Sequence, residues 1–236
     1  CDGLSLFSDY DKSLQYSLAL SCGIPVPEQR FISDNTVIPS SGWATYPAFV
    51  KPCLHGDSIG IRKSSIVYNE DQLQAEIVRQ RQLFPHEPLV VQEYLQGEEY
   101  TIGVMGNWSS NDCHTLPIIQ IGFERSGGDL SILTHDSKND PASREYMQDY
   151  YHIAKLKPEL AERIERDTLA IYRRLKCRGY ARADWRLDHN GVPKFLEINA
   201  LPDILDKASS LVKMYRHKTG KSHGDFLLEV ISHAML

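Results

Sequence analysis

Residues 181–202, ARADWRLDHNGVPKFLEINALP, constrain this chain more than any other stretch, because two alternating runs flank Asn190-Gly191. That pair predicts a hairpin with a two-residue type I′ turn, since both positions tolerate positive φ. His189 then faces Val192, Asp184 faces Glu197, and Arg182 faces Asn199. A four-residue loop would slide the partners by two positions and keep the same faces, because side chains alternate with period 2. One face is expected to carry Arg182, Asp184, Arg186, Phe195, Glu197 and Asn199. The other, with Ala183, Trp185, Leu187, Leu196 and Ile198, reads as a core face.

Directly opposed side chains have Cβ atoms about 4.5–5.5 Å apart, and like charges there repel. Two facing carboxylates need a cation or a shared proton. Asp184, Glu197 and Asn199 offer only oxygen ligands, which suit Mg²⁺ or Mn²⁺ rather than zinc. The plain alternative is a solvent-facing hairpin whose acids pair with Arg182 and Arg186. A hard metal beside an arginine points to phosphate chemistry, so a nucleotide site is sought elsewhere in the chain.

At 236 residues the chain is long enough for one large domain or two small ones. Its net charge of −5 argues against a polyanion-binding surface, so nucleic acid is not an expected partner. Cys1, Cys22, Cys53, Cys113 and Cys177 are odd in number and scattered, without a C-x-x-C. They read as reduced thiols of a cytoplasmic protein, not as a disulfide frame or zinc site. No apolar run reaches membrane-spanning length, so no membrane partner is expected.

Acidic and polar residues ahead of LQYSLALSC predict a capped helix with Leu14, Leu18 and Ser21 on one face and Gly23 as its stop. NEDQLQAEIVRQRQLF reads as a helix capped by Asn69, with Leu73, Ile77 and Phe84 along one side. KPELAERIERDTLAIYRRLKC is the clearest helix, with Pro158 in its first turn. PAFVKPC, EPLVVQEYL, EEYTIGVMGN, TLPIIQIGFE and DLSILTHDSK read as strands, and two short helices are expected near 207–217 and 225–235. Strands mixed with helices in this order predict an α+β organisation with mostly antiparallel pairing and an internal boundary near 96–100.

FVKPCLHGDSIGIRK places Lys51 at a strand end, ahead of the glycine-bearing loop His55–Gly60. Such a loop can nest an anion, although glycine turns are common without that use. LVVQEYLQGEEYTIGV is a strand, a polar break and a strand, which could offer edge groups to a purine ring or serve as a plain connector.

Five segments in series are similar to one family: DKSLQYSLALSCGIPVP, FVKPCLHGDSIGI, VVQEYLQGEEYTIGVMGN, GYARADWRLDHNGVPKFLEINALP and SSLVKMY. From about residue 9 onward the chain resembles the ATP-grasp fold of D-alanine–D-alanine ligase type. The resemblance implies two α+β subdomains with mainly antiparallel sheets clasping ATP between them. The lid-bearing subdomain is expected over 1–99 and the metal-binding one over 100–236. It further implies that Lys12 and Lys51 hold the ATP phosphates. The loop 55–60 would be a lid, with His55, Gly56 and Ser58 as ATP contacts and Ser58 also taking part in catalysis. Gln92, Glu93, Tyr94 and Leu95 match the adenine connector, and Glu99 matches the ribose acid. Lys138 matches a lysine on the transferred phosphate, and Arg182 the arginine on the reacting carboxylate. Asp184, Glu197 and Asn199 match the ligands of two Mg²⁺ (or Mn²⁺) ions, with Glu197 bridging. Ser210 matches a substrate-carboxylate contact.

The chemistry so implied is ATP-dependent joining of a small-molecule carboxylate and an amine through an acyl phosphate. A homodimer is expected as well, and the family's N-terminal substrate domain has no counterpart in this stretch. Four features depart from the family pattern. The lid carries Asp57-Ser58 in place of Ser-Ser, and Pro202-Asp203 stands in place of Pro-Gly. Gln92 replaces an acid, and the segment from Asn199 to Ser210 is about two residues longer. Asp57 and Asp203 either point to solvent or select a cationic or bulky acceptor amine. The rival readings are a specialised ATP-grasp ligase of secondary metabolism and a nucleotide-binding module without catalysis.

Overall fold

The computed structural model describes residues 3–33, 43–55, 58–122, 151–206 and 209–235. The described residues group into two compact units. One, the hairpin unit, holds those within Cys1–Val26, Gly97–Gly122 and Asp149–Leu236; the other, the loop unit, holds those within Pro27–Gln96. The division between them falls at Gln96–Gly97, and the N-terminal helices group with the later residues.

The loop unit is a four-stranded antiparallel sheet of β1 (Gln29–Ile32), β2 (Ala48–Pro52), β3 (Ile66–Val67) and β4 (Leu89–Glu93), in the order β1-β4-β2-β3. Helix α3 (Glu70–Leu83) starts where the Asn69 side chain accepts the Gln72 N–H at 3.0 Å, the cap its sequence predicts. Leu73 and Ile77 of α3 join Val50, Val67, Leu89 and Val91 in one core, while Phe84 ends the helix as its C-cap. Glu76, only 4% exposed, is held by Ser65, Arg79 and Gln80. Burial alone would raise its pKa, but bonds from Arg79, Ser65 and Gln80 outweigh that and hold it below the ordinary value.

The hairpin unit is built on a second antiparallel sheet of β5 (Glu99–Met105), β6 (His114–Thr115), β7 (Ile119–Ile121), β8 (Tyr151–Ile153), β9 (Tyr180–Leu187) and β10 (Pro193–Asn199). Their order is β10-β9-β5-β7-β8, with β6 also paired to β5. Alternate residues of β5 feed two cores, as period 2 requires. Tyr100, Ile102 and Val104 pack with Tyr16 and Ala19 of α2 (Lys12–Ser21) and with Ile164 and Ile171 of α4 (Pro158–Arg174). Met105 packs on the other side with α5 (Ser210–Thr219) and α6 (His223–Ala234). A Cβ on Gly103 would meet Leu211 Cδ1 of α5 at 2.4 Å, so the helix seats directly on that glycine. Gly103 pairs with Arg182, which puts α5 on the same sheet face as Arg182.

At the N-terminus two helices stand where one was expected, α1 (Gly3–Tyr10) and α2, with Asp11 capping the second by accepting the Ser13 N–H at 2.8 Å. The buried face of α2 also differs from expectation. It comprises Lys12, Gln15, Tyr16 and Ala19, while Leu14 and Leu18 are half-buried and Ser21 is exposed. The expected strand within DLSILTHDSK lies outside the described residues. No helix among the described residues is long and apolar enough to cross a membrane.

Glu76→Ala leaves the Arg79 guanidinium without its partner and is expected to cost about 3 kcal/mol in urea unfolding at pH 7. Because the folded-state pKa of Glu76 is depressed, its contribution is complete above its ordinary value of 4.5 and is lost as pH falls through the folded value. The gap between wild type and variant should therefore narrow in acid.

Candidate active site

The hairpin departs from its predicted turn in an informative way. Asp188 N–H donates to the Val192 carbonyl at 3.0 Å, closing a three-residue loop of His189, Asn190 and Gly191. Gly191 takes φ +75, while Asn190 is not among the positive-φ residues, so the turn is not type I′. The Asp188 carboxylate organises the loop by accepting the N–H groups of Asn190 and Val192, both at 2.9 Å. Near this turn Trp185 pairs with Phe195, one register step away from the expected ladder.

A bulge between Phe195 and Glu197 corrects the step. Beyond it Asp184 pairs with Glu197 and Arg182 with Asn199, as the sequence predicts. The bulge also turns Phe195 away from the polar face to which it was assigned. Phe195 is fully buried and meets Trp185 edge-on at 5.6 Å between ring centroids. The half-buried Leu196 is the residue left over in the strand.

On the polar face, Arg182 donates twice to Asp184, at 3.1 and 3.0 Å. Lys12 Nζ lies 3.4 Å from Glu197 Oε2. Arg186 pairs with its cross-strand neighbour Glu99 at 3.1 Å and donates to the Gly97 carbonyl at 3.2 Å. Burial opposes the charge on Arg182, but Asp184, Glu197 and the nearby Tyr151 outweigh it and raise the guanidinium pKa above its ordinary value. Asp9, at the end of α1, is a further member that the sequence reading did not single out. Burial raises the pKa of its carboxyl, with Glu197 adding to the rise, while the Ala200 backbone, Lys12 and Arg182 act the other way. The available signal was its place beside the Asp11 cap in the polar run SDYDK.

Among the described residues no three His, Cys, Asp or Glu side chains form a cluster able to hold a metal by themselves. Asp184, Glu197 and Asn199 supply two carboxylates and one amide, all oxygen donors. That set fits Mg²⁺, which is usually bound through one or two carboxylates plus substrate phosphates and water.

Asn199 is half-buried in its register position opposite Arg182. Ser210 is 5% exposed in the first turn of α5, and its neighbour Ser209 caps that helix by accepting the Val212 N–H. Asp203 is exposed, and its carboxylate accepts the Leu205 N–H at 2.8 Å, which organises its own loop.

In the loop unit, Lys51 is 8% exposed on β2, paired in register with Val90. His55 is engaged by Glu87, whose carboxylate also accepts the Leu54 N–H, and its ring lies 4.7 Å from that of Phe84. Ser58 takes φ +59 and its carbonyl accepts the Ile61 N–H, closing a tight turn. Gly60 ends that turn against α3, and its carbonyl accepts Arg79 and Gln80. A Cβ there would lie 2.6 Å from Phe84. In the connector, Gln92, Tyr94 and Leu95 are buried and Glu93 is half-buried. The Glu93 and Tyr94 N–H groups donate to the Glu28 and Pro47 carbonyls, so those two donors are already used within the unit. Gly56, Asp57 and Lys138 lie outside the described residues.

Comparison with known proteins agrees with this architecture. Solved structures that share the fold include the VanG D-Ala:D-Ser ligase from Enterococcus faecalis, with TM-score 0.74 at 24% identity, covering 98% of this chain and 63% of that one. A D-alanine–D-alanine ligase from Bacillus anthracis complexed with ATP gives TM-score 0.72 at 24% identity, over 98% of this chain and 66% of that one. The fold is therefore the ATP-grasp fold of such ligases. The family model for the D-ala D-ala ligase C-terminus matches residues 18–232, and the chain belongs to that family. Among curated relatives, the vancomycin B-type resistance protein VanB of Enterococcus faecalis is 31% identical over 86% of this chain and 55% of its own length. A D-alanine–D-alanine ligase of Cupriavidus necator is 27% identical over 96% of this chain and 64% of its own length. The chain thus spans roughly half to two thirds of the relatives it matches.

The bulge makes a test of the hairpin straightforward. Phe195→Ala empties a core site and is expected to cost about 3–5 kcal/mol in urea unfolding. On an open polar face the same change would stay within about 0.5 kcal/mol.

Proposed function

We propose that this chain is the nucleotide- and metal-binding part of an ATP-dependent ligase that joins a carboxylate to an amine through an acyl phosphate. The observation that carries the reading is the opposition of Asp184 and Glu197 on one sheet face, with Arg182 and Lys12 against them. In this reading Asp184, Glu197 and Asn199 would hold two Mg²⁺ or Mn²⁺ ions. Bound there, such ions would neutralise charge on the ATP phosphates. Lys12, Lys51 and the loop bearing His55, Gly56 and Ser58 bind those phosphates, and Lys138 attends the group being transferred. Gln92, Glu93, Tyr94 and Leu95 take the adenine, and Glu99 takes the ribose.

Arg182 orients the substrate carboxylate, whose oxygen attacks the γ-phosphorus and releases ADP. The amine nitrogen then attacks the acyl carbon, loses a proton, and phosphate departs as the amide forms. Positioning and charge compensation account for most of the work asked of the protein. Ser210, in the first turn of α5, is the proposed contact for a substrate carboxylate. Amino acids are the proposed substrates, in a cytoplasmic setting, since relatives in this family are named D-alanine–D-alanine ligases. The bond between the Asp203 carboxylate and the Leu205 N–H favours a loop-forming role for that aspartate over amine selection.

The full-length protein, incubated with ATP, Mg²⁺ and an amino-acid library, should release ADP only when an amino acid is present, with a matching amide seen by mass. Amino-acid-independent ADP release, or none, would contradict the reading. Glu197→Gln should reduce turnover by about 10²-fold or more while unfolding as wild type does.

A further inference from the structure

Among the described residues, strand β10 is the outermost strand of its sheet and pairs with β9 alone. An outermost strand is held by a ladder of hydrogen bonds along one edge only. The bulge at Leu196 weakens the ladder further just ahead of Glu197. A slip of one residue would carry Glu197 and Asn199 to the opposite face.

The free edge is occupied by groups from the N-terminal segment. Gln15, 1% exposed on α2, donates its amide N–H to the Ile198 carbonyl at 2.9 Å and accepts the Ile198 N–H at 2.8 Å. One side-chain amide thus makes the two bonds that a neighbouring strand residue would make. The same amide nitrogen donates to the Ser8 carbonyl at 2.8 Å, tying α1 to the arrangement. On either side, the Phe195 N–H donates to the Pro25 carbonyl at 2.8 Å, and the Asp9 carboxylate lies close enough to the Ala200 backbone for it to lower the Asp9 pKa. Ile198 and Ala200 bracket Asn199, and Ile198 follows Glu197 directly. A leucine would fill a buried helix position without the cost of desolvating an amide; the glutamine is tolerated because it is bonded at both ends.

We propose that Gln15, supported by Asp9, is a positioning residue that substitutes for a strand along β10 and keeps Glu197 and Asn199 opposite Asp184 and Arg182. The inference rests on the metal reading of the hairpin proposed above. Ligand groups fixed by an outer layer of hydrogen bonds lose affinity for their metal when that layer is removed, by about 10–100-fold.

The test uses the full-length protein and Gln15→Met, which keeps the length of the side chain and removes its bonds to Ile198 and Ser8. Mn²⁺ binding in the presence of a non-hydrolysable ATP analogue is followed by electron paramagnetic resonance, and amide hydrogen exchange is followed at Ile198. Expected are Mn²⁺ binding weakened about tenfold and faster exchange at Ile198. Ile24→Val, an ordinary core truncation in the same segment, should leave Mn²⁺ affinity within about twofold of wild type, since its cost falls on packing. Unchanged Mn²⁺ affinity in folded Gln15→Met would overturn the proposal.

Should Gln15→Met fail to fold, Asp9→Asn and Asp9→Ala decide the matter. The asparagine keeps an acceptor beside the Ala200 backbone and should retain most of the affinity, whereas the alanine should lose about tenfold. Equal losses in the two would mean that charge alone matters and would defeat the positioning role. If wild type bound no Mn²⁺, the metal reading would fail instead, and Ile198 exchange would still report on the edge clamp.

Discussion

Two carboxylates facing each other across a β-ribbon cannot be left uncompensated. At about 5 Å and an effective dielectric near 20, Asp184 and Glu197 repel by about 3 kcal/mol. The chain answers with a bidentate arginine on one and a lysine on the other. Such an arrangement has a cost unless the same face is used for cations and phosphate. Most other features of the hairpin unit follow from keeping it in place. The three-residue turn sets one register, the bulge at Leu196 restores the other, and the aromatic pair Trp185–Phe195 anchors the buried side. Gly103 lets α5 lie close on the sheet, on the face that Arg182 shares.

The N-terminal helices belong to this constraint. They are remote in sequence from the hairpin, yet Lys12 reaches Glu197, Gln15 reaches Ile198 and Asp9 reaches Ala200. Their grouping with the later unit is a consequence of those contacts and of Tyr16, which meets Phe195 edge-on. The loop unit shows a comparable economy on a smaller scale. Glu87 serves both Leu54 and His55 at the start of the glycine-bearing turn, and α3 receives Gly60 at its end.

Much of this was legible in the sequence because it depends on local pattern. The α+β class, the cap at Asn69, the helix begun by Pro158 and the pairing of Asp184 with Glu197 all come from periodicity and turn chemistry. What escaped depends on contacts between distant segments. Asn190-Gly191 names a turn but not its length, and the Asp188 carboxylate that sets the length competes for the same backbone groups. Once the turn takes three residues, only a bulge can bring the two acids opposite each other, and a bulge leaves no mark in an alternating pattern. Phe195 was therefore assigned to the wrong face. The buried face of α2 was missed for a related reason. Apolar periodicity favours Leu14 and Leu18, but the strand edge beneath the helix needs hydrogen-bonding partners, so Gln15 points inward, and Lys12 does so toward the Glu197 carboxylate. Among the candidate site residues, position on an element was readable, whereas engagement was not. His55 is taken up by Glu87 and Asp203 by its own loop.

The central claim is that this acidic ribbon exists to hold divalent cations against a polyphosphate. A crystal of the full-length protein grown with a non-hydrolysable ATP analogue and Mn²⁺, examined by anomalous diffraction, tests it most directly. The account predicts manganese peaks at about 2.0–2.2 Å from carboxylate oxygens of Asp184 and Glu197 and from the Asn199 amide oxygen. Bound nucleotide with no such peaks, and with both carboxylates still resting on Arg182 and Lys12, would contradict it.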